Sequence, residues 1–392
     1  MMKQIGKLFL QWRLWLFIPL CIGVLFVPPR GDSVFTTLLE YSAPTGVLAS
    51  EFVYPWANFD GVHYVAIASR GYQDEGRFLP LFPATIRSLV VPLGFSEIPE
   101  PYGALTFWIA ILLSTLFGFL TVVMFVNILA LDYKEQTVRR AVLFLVLFPT
   151  AFFLATIYTE GLFLFLSLGS LFAARKKRWF LAAFLGMLVA VTRLSGVLIL
   201  IPLLIEYWKL EVTTPEKRVL SQYRSALWFL LVPVLLASYS FYNYVTWNDF
   251  LYFVHAHGQL GNSRAVSAVV FPLVTVVRYV RILLTVSPSL YEYWVALLEF
   301  ASLCFAVWAL YQSWKQKIRT SYFWYSVSLV AVPLLSGTLS GFPRYVLPIF
   351  PLFIATTVYL EKRPRLRYVV LGLSVLLQAA LFILFTRRYF VA

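Results

Sequence analysis

Uncharged apolar stretches, each long enough to enter or cross a bilayer as a helix, recur from one end of this chain to the other. A hydrocarbon core of about 30 Å takes about 20 such residues to cross. Lipid leaves helices and closed barrels as the only spanning folds, because backbone polar groups find no water there. Ala104–Leu131 carries no charged residue and none of the residue-by-residue alternation of a barrel strand. Only 13% of the 392 residues are charged, far below the roughly 25% of a soluble domain. The class expected is an all-α polytopic membrane protein. Residues 1–392 are read as a single integral membrane domain, with no separate soluble domain.

The amino terminus, Met1–Arg13, carries Lys3, Lys7 and Arg13 and no acid. The apolar run Leu14–Pro28 lacks a small-residue cleavage site and is expected to stay as a first span. A loop of roughly Arg30–Gly103 follows, with eight acids and many aromatic residues. A loop this long in a compact protein is functional or disordered, and its aromatic content argues for order, with amphipathic helices. Ten more spans are expected: Ala104–Leu131, Ala141–Ile157, Glu160–Ala174, Trp179–Val191, Leu194–Trp208, Ser225–Trp247, Tyr291–Trp314, Ser321–Ser340, Tyr345–Leu360 and Tyr368–Phe385. That makes about 11 transmembrane helices. A second outer loop is expected over about 248–290. Within it, Val266–Ser287 holds Arg278 and Arg281 near its centre, each costing about 2.5–3.5 kcal/mol at mid-bilayer. It is read as an interfacial or re-entrant helix.

The distribution of charge orients the chain. With that reading, all ten lysines and eleven arginines fall on the side of the amino terminus, 21 of the 32 basic residues. The positive-inside rule makes that side cytoplasmic and turns the long acidic loop outward. The net charge of +14 therefore reflects membrane topology and not a nucleic-acid partner. Cys21 and Cys304 both fall in apolar runs and read as small core residues.

Ionisable residues that interrupt apolar sequence gather on the outer side. Asp60 stands in Asn58-Phe59-Asp60-Gly61-Val62-His63-Tyr64; in a helix, His63 and Tyr64 share its face. A carboxylate there can act as general base on a hydroxyl or simply cap a helix. Glu75 follows Gly71-Tyr72-Gln73-Asp74, where acids can hold a sugar or merely solvate a loop. Glu160, in Tyr158-Thr159-Glu160-Gly161, and Arg193, in Thr192-Arg193-Leu194-Ser195-Gly196, either line a substrate path or pair with each other. Arg344, in Pro343-Arg344-Tyr345, has no acid near it in sequence and is read as an anion site. His255 and His257, with only Asp249 close by, make a poor metal site. The chain has no P-loop, no Gly-x-Gly-x-x-Gly and no His-Glu-x-x-His. It also has no Asn-x-Ser/Thr sequon, which leans toward a prokaryotic membrane.

The run Phe59-Asp60-Gly61-x-His63-Tyr64-x-x-Ile67-Ala68-x-x-Gly71-Tyr72, with Glu75 and Phe78-Leu79-Pro80-x-Phe82-Pro83, resembles the PIG-V family of mannosyltransferases. Tyr158-Thr159-Glu160, Arg193-Leu194-Ser195-Gly196 and Pro343-Arg344-Tyr345 look like its later motifs. Phe59 stands where the family usually has Trp, and Ser195 where Asn is common. The resemblance implies a GT-C-like fold and an inverting transferase that moves a sugar, mannose by family, from a polyprenyl-phosphate donor to a lipid or glycan acceptor. Asp60 would be the base. His63, Tyr64, Glu75, Glu160, Arg193, Arg344 and Tyr345 would bind substrate, with Arg193 and Arg344 facing the phosphate. No cofactor is required by this scheme, though it leaves room for a divalent metal. The implied partners are the lipid-linked sugar, its acceptor and membrane lipids. The location expected is the bacterial plasma membrane, with the endoplasmic reticulum as the alternative. The competing functions are a lipid or sugar-lipid transporter, which would favour internal repeats and midplane binding, and a noncatalytic subunit of a glycosylation complex.

Overall fold

The computed structural model describes residues 2–31, 49–73, 75–93, 104–212, 225–256 and 269–391. Among them every regular element is helical. Five helices are long and apolar enough to cross a membrane: Met2–Phe26, Leu105–Leu129, Leu227–Trp247, Tyr291–Lys315 and Pro364–Thr386. The all-α polytopic class expected from sequence is therefore found.

The remaining apolar runs are built differently from plain spans, and the expected count of eleven is not established. Ala141–Ile157 divides into the end of a helix, Glu135–Val146, and a buried 3-10 turn, Ala151–Leu154. Pro149 lies between them, without the backbone N–H that would continue the helix. Leu194–Trp208 begins as a 3-10 turn, Leu194–Ile199, before the helix Leu200–Tyr207. Gly196 permits this bend, because a Cβ there would lie 2.1 Å from the Val189 carbonyl oxygen. Tyr345–Leu360 is interrupted before the helix Pro351–Glu361. Broken helices are tolerated at membrane depth only where protein covers the freed backbone groups, and Ala151–Leu154 and Phe350–Phe353 are buried. At the centre, the helix Glu160–Arg175 is enclosed on nearly every side, as an all-round apolar helix must be.

Two expectations need correction. Cys21 and Cys304 are exposed on the outer surfaces of their helices; an apolar run has a lipid-facing side as well as a core side, and sequence does not separate them. The first helix starts at Met2, not after Arg13. Arg13 thus lies within it, with its guanidinium 3.7 Å above the Trp56 ring.

Polar groups form two layers at opposite ends of Glu160–Arg175, roughly 22 Å apart at 1.5 Å per residue. At the Arg175 end, Arg175 meets Asp132 at 2.7 Å, Lys177 meets Glu211 at 3.5 Å, and Arg319 pairs with the buried Glu206. At the Glu160 end lie Asp60, Arg193 and Arg344. The carboxyl-terminal segment joins this second end. Arg387 pairs with Glu51, the Arg30 N–H donates to the Arg387 carbonyl at 3.0 Å, and Tyr291 donates to Phe390 O at 2.7 Å. The helix Pro272–Thr285 packs along 334–339, with Thr275 donating to Leu334 O and Arg278 to Gly337 O. Its 14 residues measure about 21 Å, short of a crossing.

Candidate active site

Asp60 is the first residue of the helix Asp60–Arg70, and its position depends on the residues just before it. Asn58 donates to the carbonyls of Phe385 and Thr386, and Tyr158 donates to the Asn58 carbonyl at 2.9 Å. Phe59 then takes φ +62°, a region that costs a non-glycine residue about 1–3 kcal/mol. Its ring is held against Phe385 and Phe390, at 5.8 and 5.9 Å. This tight turn points the helix start toward a cavity instead of the core. Gly61 allows the close approach: a Cβ there would be 3.0 Å from Ile157 O and 3.3 Å from Ala57 Cβ.

The cavity, of about 340 Å³, is bordered by Asp60, Tyr64, Arg77, Arg193, Arg344 and Tyr345. Apolar residues of the Thr320–Leu335 helix, Leu329, Val332 and Pro333, form another wall. Asp60 does not serve as a helix cap. Its Oδ2 accepts from Arg344 Nη1 at 2.6 Å, and its side chain keeps 33% exposure against 10% for Arg344. Burial alone would push the Asp60 carboxyl up. The charge and hydrogen bond of Arg344, with His63 and Arg77 further off, hold it below the usual carboxylate range. It is therefore ionised at neutral pH.

Glu160, 1% exposed, lies behind this pair and joins both arginines: Arg193 Nη1 at 2.6 Å and Arg344 Nε at 3.2 Å. The sequence reading of Arg344 as lacking an acid is corrected here. Its two acids lie far away along the chain and are brought to it only by folding. Both arginines also lie over the Tyr345 ring, at 4.8 and 5.4 Å. Glu299, from Tyr291–Lys315, accepts from the Gly341 N–H at 3.2 Å and from Tyr279 at 2.6 Å. It thereby ties down the turn that carries Arg344.

Tyr64, Arg193 and Tyr345 border the cavity, whereas His63, Glu75 and Glu160 are not among its lining residues. Glu75 meets Arg70 at 2.6 Å and accepts the Gln73 N–H at 3.3 Å. The His63 ring stacks on Phe78, 4.9 Å between centroids, with Nε2 3.2 Å from Arg77 Nη2. Burial, and then the charge of Arg77, pull the His63 pKa down to about 4, so the ring is neutral and can accept from Arg77. Arg77 itself was not singled out from the sequence. Its signal was slight: a lone arginine beside Phe78-Leu79-Pro80, in a loop otherwise rich in acids. His255 Nδ1 meets Asp249 Oδ2 at 2.6 Å, while His257 and Asp74 lie outside the described residues. Among the described residues no group of three or more His, Cys, Asp or Glu is placed to hold a metal ion.

Fold and site together define a polytopic membrane protein, with an ionised carboxylate, three arginines and a set of apolar residues bordering one cavity. The sequence matches the mannosyltransferase (PIG-V) family over residues 7–262, and the chain belongs to that family. Arg344 lies beyond the matched stretch and meets Asp60 only in the fold. No curated protein matches the chain in sequence. Among solved structures it is similar to the Archaeoglobus fulgidus oligosaccharyltransferase in its apo form, at 11% identity and a TM-score of 0.46, over 96% of this chain and 56% of that one. It is also similar to the complex of that enzyme with zinc and sulfate, at 12% identity and a TM-score of 0.45, over 95% and 53%. The chain spans about half the length of that transferase.

Proposed function

We propose that this protein is an inverting GT-C glycosyltransferase that takes a sugar, mannose by family, from a polyprenyl-phosphate donor and passes it to a lipid or glycan acceptor. The observation that carries the reading is the Asp60 carboxylate, ionised and one-third exposed at a cavity lined by both arginines and aliphatic residues. An amphiphilic donor with an anionic junction between sugar and tail suits such a cavity.

In the reaction, Asp60 accepts the proton of the acceptor hydroxyl as that oxygen attacks the anomeric carbon from the face opposite the phosphate. The new C–O bond forms while the bond from the anomeric carbon to the phosphate oxygen breaks. The electron pair leaves with the lipid phosphate, and fixed guanidinium charge stabilises it as it departs. Asp60 then releases its proton to water. This chemistry calls on no cofactor.

The lysine-rich pole at the other end of the Glu160–Arg175 helix supports a site facing away from the cytoplasm. The lack of sequons supports a bacterial plasma membrane. To test the reading, membranes with and without the protein are supplied with a panel of radiolabelled polyprenyl-phosphate sugars. Protein-dependent transfer from one donor to a lipid or glycan product supports it. No transfer from any donor, with an acceptor pool that a control transferase can use, contradicts it.

A further inference from the structure

Three arginines border the cavity, and the structure does not treat them alike. Arg344 lies 2.6 Å from Asp60 and 3.2 Å from Glu160, and Arg193 lies 2.6 Å from Glu160. Two carboxylates and two guanidiniums make this group neutral as a whole. An anion that engages either arginine must compete with a carboxylate already in place, and disturbing a buried pair is costly.

Arg77 is different. Among the described residues it forms no ion pair, and its polar partner is the neutral ring of His63, at 3.2 Å. Its guanidinium also lies 4.8 Å from the Phe78 ring, and it borders the same cavity. A guanidinium has five N–H donors, so one contact to His63 leaves most of them for a ligand. Asp60 and Glu75 act on Arg77 only at longer range, and burial outweighs them in lowering its pKa. A half-buried cation with no carboxylate partner among the described residues gains from an anion.

We infer that Arg77 is the residue that receives the phosphate of the donor, and that Arg193 and Arg344 instead hold the two acids. This rests on the reading of the donor as a lipid-linked phosphodiester. Such a diester carries one negative charge at neutral pH and meets one cation that forms no ion pair among the described residues. Its isoprenoid tail has apolar lining to follow in the same cavity, over Leu194, Val332 and Pro333. Leu194 and Val332 are exposed on the surface of the helical bundle, as is Leu335 beyond them. His63 acts as a positioning residue, fixing one edge of the guanidinium while adding no charge of its own.

The test is binding by purified full-length protein of two probes: the methyl phosphodiester of a short isoprenoid alcohol, and the free alcohol. Wild type is expected to prefer the diester by about tenfold or more, the scale of a hydrogen bond between charged groups. Arg77→Gln is expected to erase that preference while alcohol affinity stays the same, and Arg77→Lys to keep part of it. Retained alcohol binding reports an intact cavity; Arg77→Met serves if Arg77→Gln does not fold. A variant that binds alcohol normally and still prefers the diester overturns the assignment to Arg77 but leaves the lipid-phosphate reading intact. A wild-type protein with no preference for the diester overturns both.

Discussion

Arg344 Nη1 lies 2.6 Å from Asp60 Oδ2, joining residues 284 positions apart. The pair brings the proposed base onto the same guanidinium that Glu160 supports from behind. A carboxylate held this way is ionised over a wide pH range but is a weaker base than a free one, since basicity follows pKa.

The acid limb of the pH–rate profile should therefore lie below the usual carboxylate range. Burial raises the Asp60 carboxyl and Arg344 is the foremost group lowering it, so removing that guanidinium leaves the upward push opposed only by the more distant groups. Arg344→Gln should move the acid limb to higher pH as well as slow transfer. Measured kcat/KM against pH checks this, and an unmoved limb would show that Arg344 does not set the state of Asp60.

Glu160 and Asp60 should differ in what they do for stability. Glu160 is 1% exposed between two arginines, whereas Asp60 is 33% exposed. Breaking a buried charge network costs about 3–5 kcal/mol, so Glu160→Gln should lower the thermal midpoint far more than Asp60→Asn. Equal midpoints for the two variants would contradict a structural role for Glu160.

Gly61→Ala tests how the proposed base is placed. The added Cβ meets the Ile157 carbonyl and Ala57 at 3.0 and 3.3 Å, so the helix start or its neighbours must give by a few tenths of an ångström. Misplacing a reacting group by 1 Å can cost about 100-fold. The variant should lose kcat by roughly tenfold or more with less change in KM. Wild-type kcat in Gly61→Ala would rule out the close approach as a requirement.

His63 makes stability depend on pH. Its folded pKa is about 4, against about 6.5 for an unfolded chain. Between these values the unfolded state binds the proton and the folded state does not. Stability should therefore be complete above about pH 6.5 and fall as pH drops toward 4. Thermal melts from pH 7.5 to 4.5 read this, and His63→Asn should flatten the curve over that window.

The class of fold and the motif around Asp60 were legible because both are local properties. Uncharged runs report lipid, and Phe59 to Tyr72 is one continuous stretch. Tyr64, one turn from Asp60, followed from helical spacing alone. What sequence could not convey was long-range pairing. Arg344 looked unpaired because Asp60 and Glu160 are remote along the chain, and Glu75 looked available until the fold set it against Arg70. Arg77 escaped notice for the reverse reason: its significance lies in having no carboxylate partner among the described residues, which a sequence cannot display. The number of spans is not established, because Pro149, Gly196 and Pro351 break apolar runs whose composition alone reads as continuous helix.

The most direct test of the account is sugar transfer by purified protein in lipid, wild type against Asp60→Asn, at matched amounts of folded protein. Loss of the base should reduce transfer by about 10²–10⁴-fold, with donor binding retained. Transfer by Asp60→Asn within about twofold of wild type, far inside the range expected for a lost general base, would contradict the account.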